Sequence, residues 1–329
     1  MTLKIAEREV EIIDIHLHPP RVPSKTPEEV IDQLADTLSR AGVDMAVLLA
    51  IDTNVEDLVY LKELKVEEAR KYFWYFWREI PVKSPYAEAY LRDLGKQILE
   101  VVKTSEEEVK LFMDRYPAKF LGFGSVNPNV EEGYVFEKLM KIKKSGFKGI
   151  KLLPTLQFFN PSDRKLDFIY EFAERNDLAI LMHMGCNFGP FELPSLAAYA
   201  RPKHLRRIAE EFPDLKLILA HLGGYTPYLP GKYLDEAIEL MSASDNIYLD
   251  TSAVFIEDLI QKAIARLGAE RILFGSDYPA ITNFCDRHTG LRNYVRWLAA
   301  LDISLEAKEK IFGKNARKLL GIPNNKIIK

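Results

Sequence analysis

The chain has 329 residues, 47% hydrophobic and 28% charged, with 45 basic against 48 acidic side chains. A net charge of -3 excludes a general affinity for nucleic acid or anionic lipid, and the composition is that of an ordinary globular protein. The two cysteines, Cys186 and Cys285, exclude a disulfide framework, and Met1 to Ile13 lacks the apolar stretch of a secretory leader, so a reducing cytoplasm is the expected location.

Short apolar or β-branched runs ending in polar residues predict strands at Val10–His16, Met45–Ile51, Phe120–Val126 and Gly149–Leu153. Four more follow at Leu178–His183, Leu215–His221, Asn246–Asp250 and Arg271–Gly275. Between them, amphipathic patterns predict helices at Thr26–Ala41, Glu131–Ser145, Asp163–Asn176, Pro202–Phe212, Lys232–Ser242 and Ile256–Leu267. Strands apolar along their whole length imply a parallel sheet covered on both faces, and eight βα units close a (β/α)8 TIM barrel. The whole chain, 1–329, reads as one domain. The step from Ile51 to Phe120 is too long for one unit, and 52–118 reads as an inserted helical cap after the second strand. It contains the aromatic run Tyr72-Phe73-Trp74-Tyr75-Phe76-Trp77, which Arg78 and Glu79 cut short of the roughly 20 residues of a membrane span. That run reads first as the insertion's own core or a subunit contact, and second as a substrate contact. Two short helices are expected after Leu301.

Barrel enzymes carry their chemistry at the carboxyl ends of the strands. In Ile13-Asp14-Ile15-His16-Leu17-His18 the two-residue period puts Asp14, His16 and His18 on one face, aimed into the barrel mouth, and the apolar residues on the face toward the helices. Two imidazoles so spaced can share one metal ion. His183 closes the fifth strand, His221 the sixth in His221-Leu222-Gly223-Gly224, and Asp277 follows the eighth in Gly275-Ser276-Asp277-Tyr278-Pro279. Four imidazoles and one carboxylate suit Zn2+ or a similar borderline ion better than calcium or magnesium. His204, His288 and the two cysteines read as surface or structural residues. Asp14 reads as a hydrogen-bond acceptor behind a metal-bound histidine or as an ion-pair partner inside the barrel.

This ordered set resembles the amidohydrolase superfamily, and within it the amidohydrolase-related group that contains the aminocarboxymuconate-semialdehyde and resorcylate decarboxylases. The resemblance spans nearly the whole chain. It implies that His16, His18, His183 and Asp277 ligate one Zn2+, with His221 beside it as an acid/base or polarising group. Lys151 ends the fourth strand where binuclear members carry a carboxylated lysine, so the alternative is two ions bridged by Lys151, with His221 ligating the second. Arg21, Asn187 and Tyr225 are placed to meet a polar or anionic substrate.

The implied activity is hydrolysis of a small carboxylate, lactone or amide by metal-activated water. Asp277 would move the proton and His221 would stabilise or protonate the oxyanion. The alternative is non-oxidative decarboxylation of an aromatic or unsaturated acid on the same metal, which calls for a cation near the departing carboxylate. A noncatalytic scaffold would close its metal site with four protein ligands. The expected partner is a small-molecule substrate, with neither nucleic acid nor membrane, and the resemblance implies a homodimer.

Overall fold

The computed structural model describes residues 3–5, 8–54, 100, 102–185, 198–224, 231–280 and 290–323. β1 (Leu3–Ile5) and β2 (Arg8–Val10) form an antiparallel hairpin that the sequence reading did not anticipate, having placed its last residue, Val10, at the start of the first barrel strand. Eight parallel strands follow in order: β3 (Ile13–Leu17), β4 (Met45–Leu49), β5 (Phe120–Ser125), β6 (Gly149–Leu152), β7 (Ala179–Met182), β8 (Leu217–Leu219), β9 (Ile247–Asp250) and β10 (Ile272–Leu273). Each pairs with the next. The ring closes where Ile15 N donates to Phe274 O at 3.0 Å, Asp277 N to His16 O at 2.8 Å and His18 N to Tyr278 O at 2.8 Å. A TIM barrel, as expected, is the result.

Helices cover the outside: α1 (Pro27–Ala41), α2 (Glu106–Arg115), α3 (Glu132–Lys144), α4 (Asp167–Arg175), α5 (Arg206–Glu211), α6 (Leu234–Ala243), α7 (Glu257–Leu267) and α8 (Gly290–Ala299), then the short α9 (Leu305–Glu309) and α10 (Asn315–Leu319). The start of α1 is written in its sequence. Thr26 and Glu29 form a reciprocal capping box around Pro27 in the first turn, and Gly42 ends the helix in the left-handed region at φ 83°. Its Val30, Ile31, Leu34 and Leu38 are buried, at about 1.5–3 kcal/mol for each large side chain. α2, which the sequence reading placed inside the cap, packs as a barrel helix. Its Val109 and Phe112 are buried, and Phe112 meets Phe120 of β5 edge-on at 5.5 Å. Residues 55–99 of the expected cap, including the aromatic run, lie outside the described residues. No helix among the described residues is long and apolar enough to cross a membrane.

Two apolar layers sandwich the strands. The outer one joins Leu17, Leu48, Ile150, Ile180, Leu249 and Phe274 to the helices. The inner one joins Ile13, Ile15, Val47, Leu49, Phe123, Leu181, Ile218 and Leu273, with Leu319 and Leu320 from the end of the chain. This corrects the strict alternation read for the first strand, which sent Ile13 and Ile15 toward the helices with Leu17. They face inward, and Leu17 outward, because the β3–β4 register shifts between Asp14 and Leu17. Within that irregularity the Asp14 carboxylate takes the His16 backbone N–H at 3.1 Å.

Candidate metal centre

The strand ends carry their chemical groups into one buried cluster. His16 comes from β3 and His18 from just past it, Lys151 from β6, His183 from just past β7, His221 from just past β8, Asp250 from the last position of β9, and Asp277 from the turn after β10. His16, Lys151, His183, His221, Asp250 and Asp277 are buried, while His18 is partly open.

His16 Nε2 lies 3.6 Å and His18 Nε2 3.5 Å from Asp277 Oδ1, and these three groups bring their ligand atoms within 4.8 Å of one another. His221 Nε2 lies 3.2 Å from His183 Nδ1. Lys151 Nζ lies 3.3 Å from His16 Nε2. A tetrahedral ion with bonds of about 2.0–2.1 Å separates its ligand atoms by roughly 3.4 Å, so these spacings fit a metal centre. The donor chemistry fits as well. His16 Nδ1 faces Asp250 Oδ2 at 2.8 Å, which leaves its Nε2 lone pair facing a carboxylate oxygen, an arrangement that a cation between them satisfies. His18 Nδ1 is buried and has no hydrogen-bond partner among the described residues.

Of the expected ligand set, the structure therefore groups His16, His18 and Asp277, while His183 meets the cluster through His221. The ring centroids of His183 and His221 are 4.9 Å apart, and those of His16 and His221 5.1 Å. Arg21 is half-exposed and donates to the backbone carbonyls of Glu100, at 3.3 Å, and Lys103. Its guanidinium also lies 3.6 Å from the Glu108 carboxylate. Asn187, Tyr225, Cys186, Cys285 and His288 lie outside the described residues. His204, expected on the solvated surface, is half-buried, with Nε2 donating to the Ala198 carbonyl at 2.8 Å.

Sequence reasoning missed Asp250. Its signal was the one that found Asp277, an acid at the carboxyl end of a barrel strand. It supplies the acceptor for the His16 ring that Asp14 had been considered for. Asp14 instead binds backbone, taking the N–H groups of His16 at 3.1 Å and Ser276 at 3.0 Å. Burial raises the Asp14 carboxyl to about 7. Burial also holds His16 well below the usual imidazole range, with Lys151 adding to the effect, and lowers His221, with His183 adding. For Asp277 burial acts upward, but the His18 hydrogen bond and the fields of His16 and His221 win and keep the carboxyl below the ordinary range.

The backbone at two of these positions is left-handed. His221, Leu222 and Gly223 have φ of 58°, 50° and 77°, and Asp277 has φ 62°. Non-glycine residues there carry strain of about 1–3 kcal/mol each and cluster at functional sites. Gly185 and Gly224 let the turns after His183 and His221 pass closely. A Cβ on Gly185 would lie 2.8 Å from Gly224 Cα.

Several known proteins are similar to this chain. The 2-keto-4-carboxy-3-hexenedioate hydratase of a Sphingobium species is 24% identical over 294 residues, 82% of this chain and 84% of that protein. The γ-resorcylate decarboxylase of Rhizobium radiobacter is 23% identical over 260 residues, 68% of this chain and 77% of that protein. The structure of 5-carboxyvanillate decarboxylase from Novosphingobium aromaticivorans, complexed with manganese and 4-hydroxy-3-methoxy-5-nitrobenzoic acid, superimposes with a TM-score of 0.61 at 16% identity. It covers 95% of this chain and 96% of that one, and shares the fold. The Amidohydro_2 (amidohydrolase) family model matches residues 13–322, and the chain belongs to the amidohydrolase family of metal-dependent enzymes.

Proposed function

We propose that this enzyme hydrolyses a small carboxylate, lactone or amide at a divalent metal centre in the barrel mouth. The observation that carries the proposal is the convergence of His16, His18 and Asp277 within 4.8 Å. When bound, a divalent ion such as Zn2+ supplies Lewis acidity that polarises a substrate carbonyl and makes water easier to deprotonate. Manganese is the alternative, in line with the decarboxylase complex described above.

Asp277, held ionised at neutral pH, is the proton acceptor for the attacking water and returns that proton to the leaving group. His221 has its Nδ1 2.9 Å from the Ser252 carbonyl oxygen, which can only accept, so Nδ1 carries the proton and Nε2 is bare. Burial keeps the ring neutral. His221 therefore serves as a ligand or proton acceptor at Nε2, rather than the proton donor the sequence reading allowed.

One ion held by His16, His18, His183 and Asp277 is the simpler arrangement. The 3.2 Å pairing of His183 Nδ1 with His221 Nε2, and Lys151 Nζ 3.3 Å from His16 Nε2, support the alternative in which a second ion would be held with the help of a carboxylated Lys151. A small polar substrate and a homodimer, both supported by the family resemblance, complete the proposal, with a cytoplasmic location supported by the presence of only two cysteines.

Decarboxylation is the second reading, favoured by the γ-resorcylate decarboxylase relative. It calls for a cation beside the substrate carboxylate, and Arg21 is engaged by the Glu100 and Lys103 carbonyls. Asn187 and Tyr225 are proposed to meet the substrate alongside it. The test couples metal analysis of the purified protein to a screen of lactones, amides and aromatic carboxylates, following acid release and carbon dioxide together. Acid release without carbon dioxide is expected. Carbon dioxide release would replace hydrolysis by decarboxylation, and full turnover after rigorous chelation would end the metal reading.

A further inference from the structure

Asp250 is fully buried at the end of β9 and accepts four hydrogen bonds. Oδ2 takes the His16 ring at Nδ1, 2.8 Å away. Oδ1 takes the backbone N–H of His221 at 2.8 Å, the backbone N–H of Ser252 at 3.0 Å, and the Ser252 hydroxyl. Because a carboxylate only accepts, His16 must bring its proton on Nδ1, and its Nε2 lone pair is left facing Asp277 and Lys151. Ser252 extends the same logic. With its hydroxyl proton given to Asp250, its hydroxyl oxygen and its carbonyl, both 2.9 Å from His221 Nδ1, accept from that ring.

The contact with the His221 backbone does a second job. The left-handed pair His221 and Leu222 begins a turn that L-residues avoid, and Asp250 holds the first of the two through its N–H. That turn is what brings His221 Nε2 to His183.

We propose that Asp250 is a positioning residue that presets the metal centre. Through one carboxylate it fixes the His16 tautomer, through Ser252 the His221 tautomer, and through the His221 N–H the left-handed turn, all before any ion arrives. This rests on the divalent-ion reading above. A carboxylate behind a ligating histidine commonly governs metal affinity by about 10–100-fold.

The isosteric Asp250→Asn separates this role from simple support of the fold. The amide oxygen must stay on the Oδ1 side, where three donors meet, and this turns the NH2 toward His16 and drives the ring proton onto Nε2. Imidazole 15N–1H spectra of metal-free protein, assigned with single His→Gln variants, report the tautomers directly. Wild-type protein is expected to show Nδ1–H at His16 and at His221. Asp250→Asn is expected to show Nε2–H at His16, with a nearly unchanged unfolding midpoint and Zn2+ affinity lowered about 10–100-fold in competition with a chromophoric chelator.

Wild-type His16 in the Nε2–H form overturns the proposal whether or not the variant folds, and so does a variant that binds Zn2+ within about twofold of wild type. Wild-type protein with the expected tautomers that takes up neither Zn2+, Mn2+ nor Co2+ overturns the divalent-ion reading and leaves the tautomer assignment standing.

Discussion

Lys138→Met is expected to destabilise the fold by about 3 kcal/mol at neutral pH. Lys138 on α3 reaches between two carboxylates at the place where the chain leaves β4 and enters α2. Its Nζ lies 2.7 Å from Asp52 Oδ2 and 3.4 Å from Glu106 Oε2. Each carboxylate also takes a backbone N–H, Asp52 from Asn127 and Glu106 from Ser125, both at 2.9 Å. Side-chain exposures of 17% for Lys138, 18% for Asp52 and 9% for Glu106 make this a largely desolvated triad. Removing one member of a buried ion pair costs about 3–5 kcal/mol, because the surviving charge is stranded. The residual access of water to Lys138 and Asp52 places this case at the lower end.

The sign of the pH dependence follows from Glu106. Burial raises its carboxyl above the ordinary value, and Lys138 opposes that rise, so the variant raises it further. A carboxyl whose folded pKa exceeds its unfolded one binds protons more tightly when folded. The penalty is absent below the unfolded pKa, grows as pH climbs to the folded pKa and is constant above it. Urea unfolding of wild type and variant at pH 5 and pH 8, followed by circular dichroism, should show the larger difference at pH 8. A loss below about 1 kcal/mol, or one equal at the two pH values, refutes the argument.

Two further outcomes follow from the proposed metal centre. Asp277→Asn should lower kcat by about 100–10,000-fold with the fold retained, and steady-state kinetics on any substrate from the screen checks it. Full activity would remove the proton-transfer role. Gly185→Ala combines the left-handed φ of 77° with a clash against the Gly224 backbone. It should cost about 2–4 kcal/mol in thermal unfolding and lower metal uptake by spreading His183 from His221, whereas unchanged stability would show that the two turns can part freely.

The eight barrel strands were legible because each is a short apolar run between helical patterns, a signal that depends on near neighbours in sequence. The β1–β2 hairpin was not, since Val10 runs into Ile12 and Ile13 with little polar interruption and periodicity cannot report a change of pairing partner. His16, His18 and Asp277 could be found from their places at strand ends. Asp14 was put on the wrong side because a strict two-residue period has no room for the register shift after it. The left-handed turn at His221 has no local sequence cause for its first two residues. One hydrogen bond that holds it comes from Asp250, 29 positions away. His16 and Asp250 are 234 positions apart, a distance at which spacing alone carries no message.

The seam of the barrel has a consequence for how the protein is made. The hydrogen bonds that join β3 to β10 involve the segments that carry His16 and Asp277, and Asp14 and Ser276, which meet there, are 262 positions apart. At synthesis rates of about 5–20 residues per second, roughly ten to fifty seconds separate the emergence of the two sides from the ribosome. Throughout that interval the nascent chain presents its first two histidines without Asp277, the carboxylate that faces the Nε2 atoms of both. A fragment that ends before β10 therefore keeps His16 and His18 but lacks the Asp277 side of the cluster.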